Sequence, residues 1–175
     1  FPQSFHDIYA NEDKGVLAIV TGMGTARASA AIMALGLDPR FDLTEAYWLV
    51  AGIAGMDPED GTIGSAVWTR HLVDGDLAHE IDAREISADW PSGYFPLFAN
   101  GPQTDAGRPA VNGEMYKLNT GLSEWAFNMT KSLKLMDTEA MAELRARYKN
   151  YPNARTTPKV MIGDHLAAST FWHGK

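Results

Sequence analysis

A short apolar run that ends in paired glycines and opens a helix of small residues leaves this chain few folds to adopt. Val16-Leu17-Ala18-Ile19-Val20 is bounded by Gly15 and Gly22. Its length and β-branched content predict a strand buried in a sheet covered on both faces. Thr21-Gly22-Met23-Gly24-Thr25 then turns the chain into Ala26–Leu35, whose alanines, Ile32 and Met33 suit a close-packed helix. Gly36 supplies a stop, with Pro39 shortly after. A second strand is expected over Ala46-Tyr47-Trp48-Leu49-Val50, ending in the glycines of Ala51-Gly52-Ile53-Ala54-Gly55. Strand, helix and strand in about forty residues make a βαβ unit, and so a largely parallel sheet.

Asp57-Pro58-Glu59-Asp60-Gly61 is turn chemistry, and Gly64-Ser65-Ala66-Val67-Trp68 starts a third strand that continues through Leu72-Val73. From Pro91 to Asn119 the chain is rich in proline, glycine and aromatics, which predicts a long irregular excursion. Thr120 or Ser123 can cap a helix carrying Trp125, Phe127 and Met129. Thr138, followed by Glu139, opens another that runs to about Tyr148. Lys159-Val160-Met161-Ile162 is a last strand, with Gly163-Asp164-His165 at its end. No repeat, low-complexity tract or linker divides the chain, so residues 1–175 are expected to form a single domain.

Composition excludes several classes of function. With 45% hydrophobic residues among 175, the chain can bury a core. The formal net charge of -7 and scattered cations argue against nucleic acid as a partner, which wants a basic stripe. The densest cations, Arg145, Arg147 and Lys149, suit a solvated helix face. Without cysteine there are no disulfides, thiolate chemistry or cysteine-bound zinc in this segment. No run approaches the roughly 18–20 apolar residues of a membrane helix. The ends, Phe1-Pro2 and Phe171-Trp172-His173-Gly174-Lys175, suggest a processed piece or a partial reading frame, incomplete at both ends.

The Gly22-Met23-Gly24 turn is the first place where chemistry is expected. Backbone N–H groups at a helix start point outward with a partial positive charge, and glycine lets a ligand approach the backbone. The same glycines equally suit a tight turn with no ligand. The dinucleotide fingerprint is excluded because Arg27 stands where it needs Gly or Ala, and no Gly-Lys-Ser/Thr makes a P-loop. Ala51-Gly52-Ile53-Ala54-Gly55 is a second bare-backbone segment at a strand end, and two such segments at one sheet edge predict a small-molecule crevice. Asp74, Asp76, His79, Glu80 and Asp82 gather acids around one imidazole. Asp76 and His79 suit proton transfer or hydroxyl binding, a hard cation is the alternative, and a solvated strand end is the plain one. Asp164 and His165 have a similar standing. No Gly-x-Ser-x-Gly elbow supports a serine nucleophile.

Three stretches taken together, Val16–Ala28, Tyr47–Gly55 and Gly64–Trp68, resemble the purine nucleoside permease family, a distant branch of the nucleoside phosphorylase and nucleosidase superfamily. The resemblance extends through Phe41–Thr44, Leu72–Asp82 and Trp90–Leu97. For the wider superfamily it is looser and rests mainly on the two glycine segments and on Ile162-Gly163-Asp164. It implies a three-layer αβα fold with a mixed, largely parallel sheet. It also implies a purine nucleoside ligand, no cofactor and no metal, assembly into homo-oligomers, and a periplasmic or extracytoplasmic setting. Gly22, Met23 and Gly24 would line the nucleophile end, while Ala51, Gly52, Ile53, Ala54 and Gly55 would run beside ribose and base. Asp164 and His165 would complete the binding set.

The departures from that pattern matter. Phosphorylases of the superfamily hold phosphate with an arginine and a serine, where this chain has Val50 and Ile53; Arg27 is the substitute on offer. Where related nucleosidases stack an aromatic on the base, this chain has Leu166, with His165, Phe171 and Trp172 as alternatives. The resemblance places the superfamily's ribose-binding Met-Glu pair and purine-protonating acid beyond Lys175, leaving Asp76, His79 and Asp164 as candidate catalytic groups here. N-glycosidic cleavage, hydrolytic rather than phosphorolytic, is one expectation. A non-catalytic nucleoside-binding component of uptake is the other.

Overall fold

The computed structural model describes residues 6–82, 84–90, 93–97 and 114–168. It divides into two compact units, Phe1–Ile53 and Ala54–Lys175. The described chain is mixed α/β, with three α-helices among the described residues and a mixed three-stranded sheet.

In the first unit, β1 (Tyr9–Asn11) and β2 (Val16–Ala18) form an antiparallel hairpin, with Ala10 opposite Leu17. The reason is local. One 3-10 turn, Glu12–Lys14, is capped by the Asn11 side chain and closed by Gly15 in the left-handed region at φ 59°. The chain folds back there, and Val16–Ala18 finds its partner in the preceding residues. The expectation of a buried parallel strand over 16–20 is therefore corrected: the strand is three residues long, and Val16 and Val20 are exposed.

Helix α1 (Thr25–Leu37) follows the glycine turn and buries Ala31 and Leu35, four residues apart on one face. Full burial of a leucine contributes on the order of 1.5–3 kcal/mol. The helix runs through Gly36 rather than stopping there. It ends at Asp38, which is extended (φ -78°, ψ 116°) because the following proline disfavours a helical residue before it. Residues 38–46 then wind through side-chain-capped turns, Asp38 accepting from Arg40 N and Asp42 from Thr44 N. No strand forms over 46–50, where Tyr47, Leu49 and Val50 are exposed. The βαβ unit is thus absent from the described residues.

The second unit is built on β3 (Ala66–Asp74), the strand that the apolar run from Gly64 predicts. It pairs antiparallel with β6 (Met115–Lys117) and parallel with β7 (Val160–Ala167), in the order β6-β3-β7. Strand β7 extends past Ile162, so Gly163, Asp164 and His165 lie inside the strand and not at its end. A separate hairpin joins β4 (Ala78–Glu80) to β5 (Tyr94–Pro96). Most of the excursion expected over 91–119 falls outside the described residues.

Helix α2 (Thr120–Thr130) packs on β3 and β7. Its N-cap is Asn119, whose side chain accepts from Leu122 N, rather than Thr120 or Ser123. Ser123 instead donates to the carbonyl of Thr69 at 2.8 Å, and Trp68 Nε1 donates to Thr130 Oγ1 at 2.9 Å, so both helix ends are tied to β3. Helix α3 (Glu139–Ala146) is capped by Thr138, as the sequence predicts. One cation departs from the expected solvated face: Arg145 is buried and forks onto Asp137, while Arg147 and Lys149 are exposed. Paired N–H donors matched to two carboxylate oxygens make that burial tolerable.

Candidate functional site

Gly22 and Gly24 adopt φ 76° and 93°, a region that L side chains rarely occupy. The turn between β2 and α1 therefore requires glycine at both positions. A Cβ added to Gly24 would meet nothing within 4 Å, so the backbone there is open to approach. Met23 between them is exposed, and Gly24 opens α1 with no side-chain cap. Arg27 lies in the first turn of α1. Ala51, Gly52, Ile53, Ala54 and Gly55 form an irregular, exposed segment, with Ile53 fully exposed and open space where a Cβ of Gly52 would stand. A shallow concavity of about 400 Å³ lies at the other end of α1, lined by Ala34, Leu37, Asp38, Pro39 and Arg40.

In the second unit, the structure separates residues that the sequence places side by side. Asp164 and His165 are neighbours on β7, so their side chains leave opposite faces of the sheet. Asp164 meets a residue that local sequence reasoning passes over. Between Thr69 and Leu72 the β3–β7 register shifts, so Arg70 and His71 together oppose Asp164 alone. Such a bulge bends its strand and re-aims a side chain. Asp164 Oδ1 accepts from the His71 backbone N at 3.1 Å and pairs with His71 Nδ1 at 2.9 Å. The His71 bond holds the Asp164 carboxyl below its ordinary value, with Arg70's charge adding to the effect. Arg70 Nε is buried with no hydrogen-bond partner among the described residues. The signal that finds His71 is register, because the two residues stand 93 apart in the chain.

Asp76 sits in the turn after β3, its N–H donating to the Asp74 carboxylate, and His79 lies opposite Phe95 in the β4–β5 hairpin. Asp82 is engaged by Arg84, which holds its carboxyl down at about 2. Among the described residues no group of three potential ligands could hold a metal ion. No described helix is long and apolar enough to cross a membrane. Leu166 is exposed, whereas Phe171 and Trp172 lie outside the described residues.

The purine nucleoside permease (NUP) family profile matches residues 1–175, the whole chain. The chain belongs to the purine nucleoside permease family. A protein of Schizosaccharomyces pombe named probable purine nucleoside permease is 32% identical over 177 residues, covering 97% of this chain and 51% of the relative. A purine nucleoside permease of Candida albicans is 32% identical over 174 residues, covering 97% of this chain and 42% of the relative. The permease-family chain therefore spans about half the length of the curated relatives it matches. No solved structure matches it.

Proposed function

We propose that this chain supplies purine nucleoside recognition to a protein of nucleoside uptake. The observation that carries this reading is the end-to-end match to the permease family, together with relatives that bear that name. Each unit is proposed to offer contacts of its own: backbone groups at Gly22, Met23 and Gly24 in the first, the side chains of Asp164 and His165 in the second, and the bare backbone of Ala51–Gly55 at the division between them in the chain. Left-handed glycines with open space beside the backbone support the first set, since a flat ligand can come close there. We further propose that the chain is one part of a single nucleoside phosphorylase-like αβα domain, and that the whole protein works as a homo-oligomer.

Cleavage of the N-glycosidic bond by water is the second reading. An imidazole backed by a carboxylate, as at His71 and Asp164, is a pairing that general-base chemistry uses. One experiment separates the two. Uptake of radiolabelled adenosine is compared in cells deleted for the full-length gene and in cells complemented with it, and the purified full-length protein is assayed for free purine. Restored uptake with no free base supports recognition in transport. Unchanged uptake on deletion overturns it, and release of base without phosphate establishes the cleavage reading.

A further inference from the structure

The His71–Asp164 pair defines a hydrogen-bonding group whose direction is fixed by chemistry. An ionised carboxylate can only accept, so a neutral His71 bonded to it through Nδ1 must carry its proton there. Nε2 is then the acceptor. It has no hydrogen bond among the described residues, and the His71 side chain is about one-third exposed (30%). Asp164 Oδ1 also takes the His71 backbone N–H, so backbone and ring are gripped by one oxygen at the bulge. One bond orients the ring and the other fixes the backbone that carries it.

We propose that His71, aligned by Asp164, is an acceptor for a sugar hydroxyl of a purine nucleoside, with Nε2 taking the hydroxyl proton in a hydrogen bond. An unprotonated nitrogen beside a half-exposed carboxylate is unsuited to an anion and matched to a neutral O–H donor. His71 is the binding residue and Asp164 a positioning residue. The inference rests on the nucleoside reading above and names the group that would read the ribose.

The test uses the full-length protein and calorimetric titration with inosine and 2′,3′-dideoxyinosine, which lacks both ring hydroxyls of the ribose. Wild type is expected to prefer inosine by about tenfold, the worth of one good hydrogen bond. His71→Asn keeps an amide N–H for Asp164 but removes the Nε2 acceptor; it is expected to erase the preference while leaving dideoxyinosine binding unchanged. Nitrogen-15 spectra taken where the imidazole is neutral are expected to show the His71 proton on Nδ1 and Nε2 bare, with that bias lost in Asp164→Ala. Retention of the preference in His71→Asn overturns the inference, as does a wild-type His71 protonated at Nε2. Equal binding of both ligands by wild type overturns it while leaving nucleoside recognition standing. Binding of neither ligand removes the nucleoside reading itself.

Discussion

The hydroxyl of Thr62 donates to the carbonyl of Ala154 at 2.7 Å, joining two buried residues 92 positions apart in the chain. Thr62 lies just before β3 and Ala154 just before β7, so the bond clamps the entries of the two parallel strands. Neighbouring bonds join the same two segments: Asn153 Nδ2 donates to Glu59 O, and Ala66 N to Lys159 O. Parallel register is set here, and the shift in it between Thr69 and Leu72 is what brings His71 to Asp164.

Thr62→Val removes the donor while keeping the volume, and leaves the Ala154 carbonyl buried without a partner. A loss of about 1–3 kcal/mol in unfolding free energy is expected from urea titration. Thr62→Ser keeps the hydroxyl and is expected to lose less. Equal losses in the two variants would show that the methyl, not the hydrogen bond, holds the strand entries.

The two glycines of α1 predict opposite signs. At Gly24 the backbone is left-handed and the space around it open, so Gly24→Ala meets only backbone strain, on the order of 1–3 kcal/mol of destabilisation. At Gly36 the backbone is helical, and an added Cβ meets nothing within 4 Å. Gly36→Ala is expected to stabilise by roughly 0.5–1 kcal/mol. Thermal melts of both variants check the pair, and a stabilising Gly24→Ala would contradict the turn geometry.

These contrasts show where sequence reading reaches and where it stops. Strand β3 is legible because a strand with neighbours on both sides carries a dense apolar signal, and β7, at the sheet edge, because it opens on the apolar run Val160-Met161-Ile162. Thr138 was legible as a cap because the acid after it sits in the helix's first turn. Val16–Ala18 was misread because the same apolar run fits a buried strand or one arm of a hairpin. What decides between them is the Asn11-capped turn upstream, a few polar residues that periodicity ignores. Tyr47–Val50 has strand composition, yet a strand also needs a partner edge, and none of the described residues supplies one. In the candidate site, Asp164 was named from its local run, but His71 was not. Its pairing depends on a one-residue register shift between strands far apart in the chain, which no local pattern encodes.

Acid titration tests the Asp82–Arg84 turn. Arg84's guanidinium and then its backbone N–H hold the Asp82 carboxyl from an ordinary 3.8 down to about 2. A depressed folded-state value means that the contact contributes above the ordinary value and is lost as pH falls through about 2. Both side chains reach solvent, so the effect is expected to shrink at high salt. Carbon-13 carboxyl titration of Arg84→Ala should move Asp82 up towards 3.8. It should not reach it fully, since the backbone donor remains. An unmoved midpoint would mean that the ion pair does not form in solution.

Asp164 offers the corresponding test at the candidate site. Its carboxyl is held below the ordinary value first by the His71 side-chain hydrogen bond, with the His71 backbone N–H and Arg70 adding to it. The sign again places the contribution above the ordinary carboxylate value, with loss as pH falls through the depressed one. His71→Ala removes the leading cause and keeps the backbone donor, so the Asp164 midpoint is expected to rise while staying below that of an unpartnered aspartate. Arg70→Ala is expected to raise it by less. If the order were reversed, with Arg70→Ala moving Asp164 more than His71→Ala, the carboxylate would be serving the guanidinium of Arg70 rather than orienting the imidazole. The bulge would then present a cation, and not a bare ring nitrogen, to whatever binds there.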